Sequence, residues 1–258
     1  MIKKYLISLE QPGQPRYDQF FSHNCFNSSD FKVFGIKGVE LSCSEYFVKG
    51  VAGTKRPLSP AEVGCRLSHM AALQDFLQSN AKYAYIFEDD IIPRYEFQCL
   101  EDVAFLGENF ICSLGGVRLT LCKTVRGKIL EQNFCGYPLL KVNKNYLDDT
   151  SYAMGYVIDR IAAQHYLDYH QVPHVADDWK GLINSCPDIS FYMADLLHHP
   201  DLHELSAVNS TIQAERDAHP AQQLKYSLWY CLSLYYQYKL QRFKRKIARY
   251  TNQRYPTV

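Results

Sequence analysis

Three adjacent carboxylates lie in the segment YIFEDDIIP, which covers residues 85–93. Glu88, Asp89 and Asp90 follow a short apolar run of β-forming residues and precede a second apolar pair. Charges this close repel one another, and apolar flanks make their solvation harder. A bound Mg²⁺ or Mn²⁺ would offset that repulsion, because these cations take carboxylate oxygens and often bind through only one or two carboxylates plus substrate phosphates. The alternative is an exposed acidic turn without a chemical role.

Apolar runs that alternate with helical patterns surround this cluster. KKYLISLE and FKVFGIKGVE are typical of short strands, KYAYIF of a buried strand that ends at the acids, and NFICSLGG of a further strand. SYAMGYVIDRIAAQHYLDY reads as a strand and turn that lead into a helix. The alternation predicts an α/β domain with a mainly parallel central sheet. In such sheets ligands bind beyond the carboxyl ends of the strands, which is where the acids lie.

The helix before the acidic strand has a well-marked start. Ser59 is a capping residue, Pro60 takes the first helical position, and Glu62 follows three residues after the serine. Gly64 lies inside this helix, where glycine costs about 1 kcal/mol relative to alanine, so it indicates close approach by a ligand or by another backbone. His69 is not needed for the helix's apolar stripe, and it is either a site residue or a core histidine with satisfied partners.

Composition limits the class of protein. The chain has 258 residues, of which 47% are hydrophobic and 21% charged, so a sizeable core is expected and global disorder is excluded. Nine cysteines are scattered without a C-x-x-C pair, which predicts reduced thiols in a cytosolic protein and argues against a zinc site. The apolar run near the N-terminus is too short for a signal peptide, and no stretch approaches a transmembrane span.

Charge is distributed unevenly along the chain. No acid follows Asp217, whereas eight Lys and Arg residues do, which leaves 20 basic against 27 acidic residues in 1–217. We therefore predict an acidic α/β domain over 1–217 and a helical, aromatic and basic segment over 218–258. This segment either lies on an anionic membrane surface or packs on the body as an ordinary helix. Nucleic acid is not an expected partner, because the acidic body would repel phosphates.

Several segments together resemble the glycosyltransferase family 25 proteins of lipooligosaccharide biosynthesis. LSPAEVGCRLSHMAALQDFL, YAYIFEDDIIP, SYAMGYVIDRIAAQHYL and VPHVADDW match, in that order, the family's helix, its LEDD strand end, its YvIsrkgA segment and its pvD segment. The resemblance covers roughly residues 1–212. The sequence departs from the pattern at Phe87, where leucine is usual, and at residues 159–161, where a Ser-Arg-Lys-Gly stretch is common.

The resemblance implies a GT-A-like, Rossmann-like fold, a nucleotide-sugar donor and inversion at the anomeric carbon. Glu88 and Asp90 would be the first and third positions of a DxD-like motif, holding Mn²⁺ or Mg²⁺ against the donor diphosphate. Asp89 would point to the other side, where it contacts the donor ribose or caps a turn. His198, in the segment LLHHPDLH with His199 and His203, is predicted as a further metal ligand, the alternative being an ordinary loop histidine.

The remaining candidates rest partly on the resemblance and partly on residue type and position. Asp177 and Asp178 are the candidates for the base that takes the acceptor proton, or else they cap the helix that begins near Trp179. Trp179 and Tyr152 are assigned to the acceptor site, with core packing as the alternative for the tryptophan. Arg118 would reach phosphate unless it is a solvated loop charge. The donor-binding residues are predicted to be Ser8, Leu9, Glu62, Gly64, Ser68, His69, Asp89 and Arg118.

We expect a cytoplasmic enzyme, peripheral on the inner membrane of a Gram-negative bacterium, that extends lipooligosaccharide from a UDP-sugar. Galactose is the first donor to consider, on the resemblance alone. Two alternatives remain open: a divalent-metal phosphohydrolase that uses the same acids, and a catalytically silent nucleotide-sugar binder that docks assembly enzymes. Hydrolysis of a simple phosphate monoester would indicate the former, and absence of UDP-sugar turnover the latter.

Overall fold

The computed structural model describes residues 1–54, 56–94, 103–199 and 228–256, without the side chains of 228–232. Its described part contains a 10-stranded sheet in the order β10-β6-β7-β9-β5-β8-β3-β1-β2, with β4 paired to β9. The strands are β1 Ile2–Ile7, β2 Phe31–Phe34, β3 Tyr83–Glu88, β4 Ile92–Pro93, β5 Phe110–Gly115, β6 Arg126–Ile129, β7 Leu140–Val142, β8 Gly155–Asp159, β9 Ser190–His198 and β10 Gln253–Arg254. The α-helices are α1 Pro15–Phe21, α2 Cys43–Tyr46, α3 Pro60–Gln78, α4 Arg160–Tyr169, α5 Trp179–Ser185 and α6 Leu228–Ala248.

The sheet is mixed. β1 pairs in parallel with β2 and β3, and β5 pairs in parallel with β9, whereas β8 runs antiparallel to both β3 and β5. The α/β character is as predicted, but the prediction of a mainly parallel sheet is wrong, because β8 and the strands β6, β7 and β10 form antiparallel pairs. The direction of β1, β3, β5 and β9 is nevertheless shared, so their carboxyl ends lie at one edge of the sheet.

Two apolar clusters cover the two faces of the sheet. Along β3, Ala84 and Ile86 contribute to the cluster that includes residues of α3, α4 and α5. Tyr85 and Phe87 contribute to the opposite cluster, which includes Phe20 of α1. Successive side chains of a strand point to opposite faces, so β3 is buried on both sides, as its continuous apolar run predicts.

Helix α3 begins as the sequence predicts. The Ser59 hydroxyl accepts from the Glu62 amide at 3.3 Å and the Glu62 carboxylate accepts from the Ser59 amide at 2.9 Å, which completes a capping box ahead of Pro60. Gly64 allows the close approach of a backbone rather than of a ligand. A Cβ there would lie 2.3 Å from the carbonyl oxygen of Ile36 and 2.8 Å from the amide of Gly38, so the segment after β2 packs directly on the helix.

The C-terminal segment returns to the body. β10 pairs with β6, and the Tyr255 hydroxyl donates to the Pro138 carbonyl at 2.9 Å. The Arg245 guanidinium binds the Asp149 carboxylate at 2.9 Å. Residues 233–240 of α6 are exposed, by contrast, all the way round the helix. The predicted domain boundary at 217/218 lies outside the described residues. Over the part of the chain that the structure describes, no helix is long and apolar enough to span a bilayer.

Candidate active site

The acid cluster lies where the parallel-running strands end. Ile7 of β1 is the register partner of Glu88, the Glu88 amide donates to the Met154 carbonyl at 2.9 Å, and Gly115 of β5 pairs with Leu197 of β9. We call this region, formed by Ser8, residues 88–90, 115–118, 151–154 and 198–199, the carboxyl-end edge. The loop before β8 also enters here, because β8 runs in the opposite direction and begins where its neighbours end.

Glu88 faces helix α3. It lies on the same face of β3 as Ala84 and Ile86, and its Oε1 is 3.3 Å from His69 Nε2 and 3.8 Å from Cys65 Sγ. The His69 ring is fully buried, and its Nδ1 is 3.0 Å from the Tyr156 hydroxyl. Burial raises the pKa of the Cys65 thiol well above its usual value, and the carboxylates of Glu88, Asp177 and Asp90 raise it further. Glu88, Cys65, His69 and Tyr156 therefore form one connected polar group beside α3.

Asp90 faces a different set of partners. Its Oδ2 is 2.7 Å from an Arg16 guanidinium nitrogen and 3.3 Å from His199 Nε2. Its Oδ1 is buried and has no hydrogen-bond partner among the described residues. Burial by itself would raise the pKa of Asp90, but His199, Arg16 and the residue's own backbone amide together hold it below its usual range. Asp90 is thus an ionised carboxylate with one oxygen left for a further ligand.

His199, and not the predicted His198, is the histidine that meets the acid cluster. His198 is the last residue of β9 and pairs with Ile92 of β4. Adjacent side chains at a strand end point in different directions, so a shift of one position along the chain exchanges their surroundings. His203, the third histidine of the segment, lies outside the described residues.

Asp89 and Asp90 both form ion pairs with the Arg16 guanidinium. The DxD-like interpretation, in which the two aspartates point to opposite sides, did not anticipate this shared partner. Asp89 Oδ1 is 2.7 Å from the same Arg16 nitrogen, and its Oδ2 accepts from the Ser8 hydroxyl at 2.6 Å. The strand ends at Glu88, so the two aspartates lie in a turn and the alternation of a strand does not apply to them. Burial raises the pKa of Asp89 to about 6, although Arg16 and Ser8 oppose the increase.

Asp177 and Trp179 hold the loop before β8. Asp177 Oδ2 accepts from the Tyr152 amide at 2.8 Å, and the Trp179 indole donates to the Tyr152 carbonyl at 3.2 Å. Tyr152 has a φ of 74°, a left-handed conformation that is unfavourable for a bulky residue, and its ring packs against Gly116. This pair of contacts therefore stabilises a strained turn at the carboxyl-end edge.

Trp179 is a core residue. It is only 1% exposed, and its ring contacts Tyr156, Tyr166 and Phe191. The predicted stacking on an acceptor sugar needs an accessible ring face, so the structure favours the alternative of core packing. Tyr152 is half-buried, and it remains at the edge.

Asp178 caps helix α5. Its Oδ1 accepts from the Gly181 amide at 3.0 Å, and its Oδ2 accepts from the Tyr169 hydroxyl at 2.6 Å. His174 Nδ1 lies 3.5 Å from the same oxygen. Both oxygens of Asp178 are therefore engaged in structural contacts, which agree with the predicted alternative of helix capping.

The predicted donor residues divide into two groups. Ser8 lies at the carboxyl-end edge beside Asp89, and Leu9 next to it is half-exposed. Ser68 and Glu62 are engaged in structural contacts instead. The Ser68 hydroxyl donates to the Gly64 carbonyl at 2.8 Å and accepts from the Ile36 amide at 2.9 Å. Glu62 holds the capping box and is 3% exposed.

Two arginines near these residues are also engaged in ion pairs. Arg56 binds both oxygens of the Glu62 carboxylate, at 2.9 and 2.8 Å. Arg118 follows β5 as predicted, but its guanidinium pairs with the buried Asp195 and donates to the Pro256 carbonyl at 3.2 Å. Asp195 is also 3.2 Å from Arg94. Arg118 therefore anchors the C-terminal segment in this structure, and a phosphate contact would have to compete with that ion pair.

A divalent cation fits the residues around Asp90. The unpartnered Oδ1 of Asp90 is a carboxylate oxygen in a buried position and His199 is an imidazole beside it, whereas the Glu88 carboxylate faces Cys65 and His69 instead. Oxygen ligands with an occasional imidazole suit Mn²⁺ and Mg²⁺. Arg16 supplies the compensating positive charge in the structure described here.

Four contributors were not predicted as site residues: Arg16, Cys65, Tyr156 and His199. Cys65 and His69 lie one helical turn apart, and the alternation along β3 places Glu88 on the face that α3 covers. That combination could have been found in the sequence. Arg16 could not, because nothing local in the chain connects α1 with the end of β3.

The fold and site define a mixed-sheet α/β protein with an acid, histidine and arginine cluster at the carboxyl ends of its strands. The model of glycosyltransferase family 25 (LPS biosynthesis protein) matches residues 1–179, and the chain belongs to that family. The predicted family resemblance is thereby confirmed. Membership of this family indicates a glycosyltransferase of lipopolysaccharide biosynthesis.

Two further comparisons with known proteins are less informative. No curated protein matches the chain. Among solved structures, the crystal structure of A197 from STIV is similar over 76% of this chain and 82% of that one, with 14% identity and a TM-score of 0.38. At that score the two backbones correspond only loosely, and nothing about the activity follows from it.

Proposed function

We propose that the protein transfers a sugar from a UDP-sugar to a lipooligosaccharide acceptor, with inversion, at the carboxyl-end edge. The observation that carries the proposal is the buried, unpartnered Oδ1 of Asp90, beside His199, in a chain of glycosyltransferase family 25. A buried carboxylate oxygen without a partner is costly unless a ligand completes it. A donor bound together with a divalent cation is a ligand of that kind.

Asp90 and His199 would hold the Mn²⁺ or Mg²⁺, with Glu88 as the third candidate. When bound, the cation stabilises the negative charge that develops on the leaving nucleoside diphosphate. Arg16 is close enough to Asp89 and Asp90 to contact the same diphosphate, and a guanidinium suits phosphate geometry. Ser8 and Asp89 are hydrogen-bonded to each other and would contact the donor on the β1 side of the edge.

Asp177 is our candidate for the general base. Inversion in a single displacement needs a carboxylate that accepts the proton of the acceptor hydroxyl. Asp177 lies at the edge, where the Tyr152 amide fixes its orientation through Oδ2. Asp178 orients this segment by capping α5 and does not itself contact the reactants in our proposal.

The exposed part of α6 is proposed to contact the anionic inner-leaflet surface that carries the acceptor. Leu234, Tyr236 and Phe243 are 42%, 76% and 61% exposed, which is unusual for such side chains in one helix. Lys239 and Arg242 lie among them, so apolar burial and attraction to anionic lipids would act together. A position on the cytoplasmic side of the inner membrane follows from this proposal.

Purified protein assayed with Mn²⁺ and a panel of UDP-sugars, starting with UDP-galactose, tests the function through the UDP released. We expect one donor to be hydrolysed slowly without acceptor and faster with a lipooligosaccharide fragment. Phosphate released from a simple monoester would instead indicate the phosphohydrolase. UDP-sugar binding without any turnover in the presence of acceptor would indicate the silent binder.

A further inference from the structure

Cys65, His69 and Glu88 bring three different metal-binding atoms together. One ligand atom from each lies within 4.8 Å of the other two, and Glu88 Oε1 is 3.8 Å from Cys65 Sγ and 3.3 Å from His69 Nε2. The cysteine spacing in the sequence argues against zinc, because it contains no C-x-x-C pair. That argument considers cysteines alone, whereas this cluster uses one thiol, one imidazole and one carboxylate.

The separations agree with the edges of a tetrahedral site. Zinc bonds of about 2.3 Å to sulfur, 2.0–2.1 Å to nitrogen and 2.0–2.2 Å to oxygen give edges of about 3.6 Å for sulfur to oxygen and about 3.4 Å for nitrogen to oxygen. The two observed distances differ from these by about 0.2 Å or less. The third separation, between Cys65 Sγ and the His69 nitrogen, is below 4.8 Å, and the side chains would close it to about 3.5 Å around such an ion.

The scaffold orients the ligands in advance. Cys65 and His69 project from the same face of α3, one helical turn apart, and Glu88 projects from the facing side of β3. The Tyr156 hydroxyl contacts His69 Nδ1 at 3.0 Å, which leaves Nε2 for the side where Glu88 and Cys65 lie. Histidine ligands in metal sites are characteristically held in this way through their second nitrogen.

Access and charge also suit a cation. The Glu88 side chain is 26% exposed and Cys65 is half-buried, so one side of the cluster is reachable while His69 forms its buried wall. Burial and the neighbouring carboxylates raise the pKa of the Cys65 thiol, so the cation would bind with release of the thiol proton. A fourth coordination position is left for water or another ligand, as in zinc sites that are not purely structural.

We propose that Cys65, His69 and Glu88 form a binding site for a thiophilic divalent cation, of which Zn²⁺ is the type. Thiolate and imidazole ligands select such ions over Mg²⁺ and Mn²⁺, so the site is chemically distinct from the one at Asp90 and His199. Occupancy by Zn²⁺ would fix Glu88 on the α3 side and withdraw it from the donor cation. Zn²⁺ would then inhibit transfer. The binding proposal goes beyond the proposed function and does not depend on it.

Cobalt titration of the purified full-length protein tests the site directly. Co²⁺ bound to a thiolate gives a near-ultraviolet charge-transfer band, which reports the cysteine ligand whether or not the protein transfers sugar. We expect the band in the wild type, its loss on addition of Zn²⁺, and no effect of Mg²⁺ in large excess. Cys65→Ser should abolish the band and weaken Zn²⁺ binding by on the order of a hundredfold.

Two further variants separate the site from other causes. Cys43→Ser removes an exposed thiol elsewhere in the chain and should leave the band unchanged. Tyr156→Phe keeps the ring but removes the hydroxyl that orients His69, and should weaken Zn²⁺ binding about 10- to 100-fold. This variant also serves if Cys65→Ser fails to fold, which its far-ultraviolet circular dichroism would show. The absence of a thiolate band in the wild type, or its survival in folded Cys65→Ser, would overturn the proposal.

Discussion

Replacing Asp89 by asparagine should stabilise the folded protein at neutral pH. Asp89 is 8% exposed, and burial raises its pKa from the ordinary 3.8 to about 6 despite Arg16 and Ser8. A raised pKa means that the folded chain holds this proton more tightly than the unfolded chain. The ionised carboxylate therefore destabilises the fold above pH 6, and that cost disappears as the pH falls towards 4.

The size of the effect follows from the difference between the two pKa values. Each pKa unit corresponds to about 1.4 kcal/mol, so ionisation of Asp89 costs about 3 kcal/mol at pH 7.5. Asparagine removes the charge but also weakens the contact with Arg16, so the expected gain is about 1–3 kcal/mol, or several degrees in Tm. Transfer should fall at the same time under the proposed donor role, as is common where a destabilising group serves function.

Thermal melts between pH 4.5 and 8 measure the prediction, with Asp75→Asn as a control of opposite sign. Burial alone would raise the pKa of Asp75, but Lys32 and the Tyr5 hydroxyl hold it below its usual value. Its contribution is therefore present at neutral pH and is lost as the pH falls below the ordinary carboxylate range. Asp75→Asn should destabilise the protein at pH 7.5. If Asp89→Asn also destabilises it there, our account of the buried turn is refuted.

The remaining predictions concern the base, the histidines and the last helix. Asp177→Asn should abolish transfer, while UDP binding with Mn²⁺ stays near that of the parent. Asp178→Asn should retain activity but lose about 1 kcal/mol of stability, because the helix cap is weakened. Equal kinetic losses in both variants would contradict the assignment of Asp177 as the base. His199→Ala should raise the Mn²⁺ concentration needed for half-maximal activity at least tenfold and His198→Ala should not, so the reverse order would place the metal ligand at the other histidine. Replacing the three exposed tyrosines within 235–238 by serine should weaken co-sedimentation with anionic vesicles and leave transfer to a short soluble acceptor intact. An unchanged vesicle-bound fraction would remove the membrane role from α6.

Truncation is a poor test of the role of the C-terminal segment. Cutting the chain near residue 220 would remove β10, the Tyr255 contact with Pro138 and the Arg245 ion pair with Asp149, besides the exposed helix. Loss of stability on truncation is therefore expected whether or not the helix binds lipid. Substitution of exposed side chains leaves those contacts in place, and it is the better experiment.

Local features of the sequence predicted local structure well. The capping box of Ser59 and Glu62 depends on residues three apart, and the apolar run of β3 fixes both its burial and the position of the acids at its end. The antiparallel direction of β8 was not predictable in the same way, because a short buried strand has the same apolar pattern in either direction. Alternation along β3 explains why Glu88 lies on the α3 face, although this position was not predicted for it.

The surroundings of a side chain were not predictable where they depend on distant parts of the chain. Nothing in the sequence around Trp179 indicates whether its ring is buried or exposed. In the structure Tyr156 and Phe191 pack against it. His198 and His199 differ by one position, and only the end of β9 decides which of them meets Asp90. Arg16 binds that acid from an element more than seventy residues away, and no periodicity or motif connects the two.

The most direct test of the central claim is the binding of UDP to wild-type protein and to Asp90→Asn, each with and without Mn²⁺, by calorimetry. If Asp90 holds the cation against the donor diphosphate, Mn²⁺ should strengthen UDP binding in the wild type. The substitution should remove that gain, with affinity about a hundredfold weaker. Because Arg16 and His199 hold the pKa of Asp90 below its usual range, Asp90→Asn should also lower the melting temperature at neutral pH, so UDP binding is compared below the melting temperature of both proteins. UDP binding that is equally tight without Mn²⁺, or that retains its Mn²⁺ dependence in Asp90→Asn, would contradict the account.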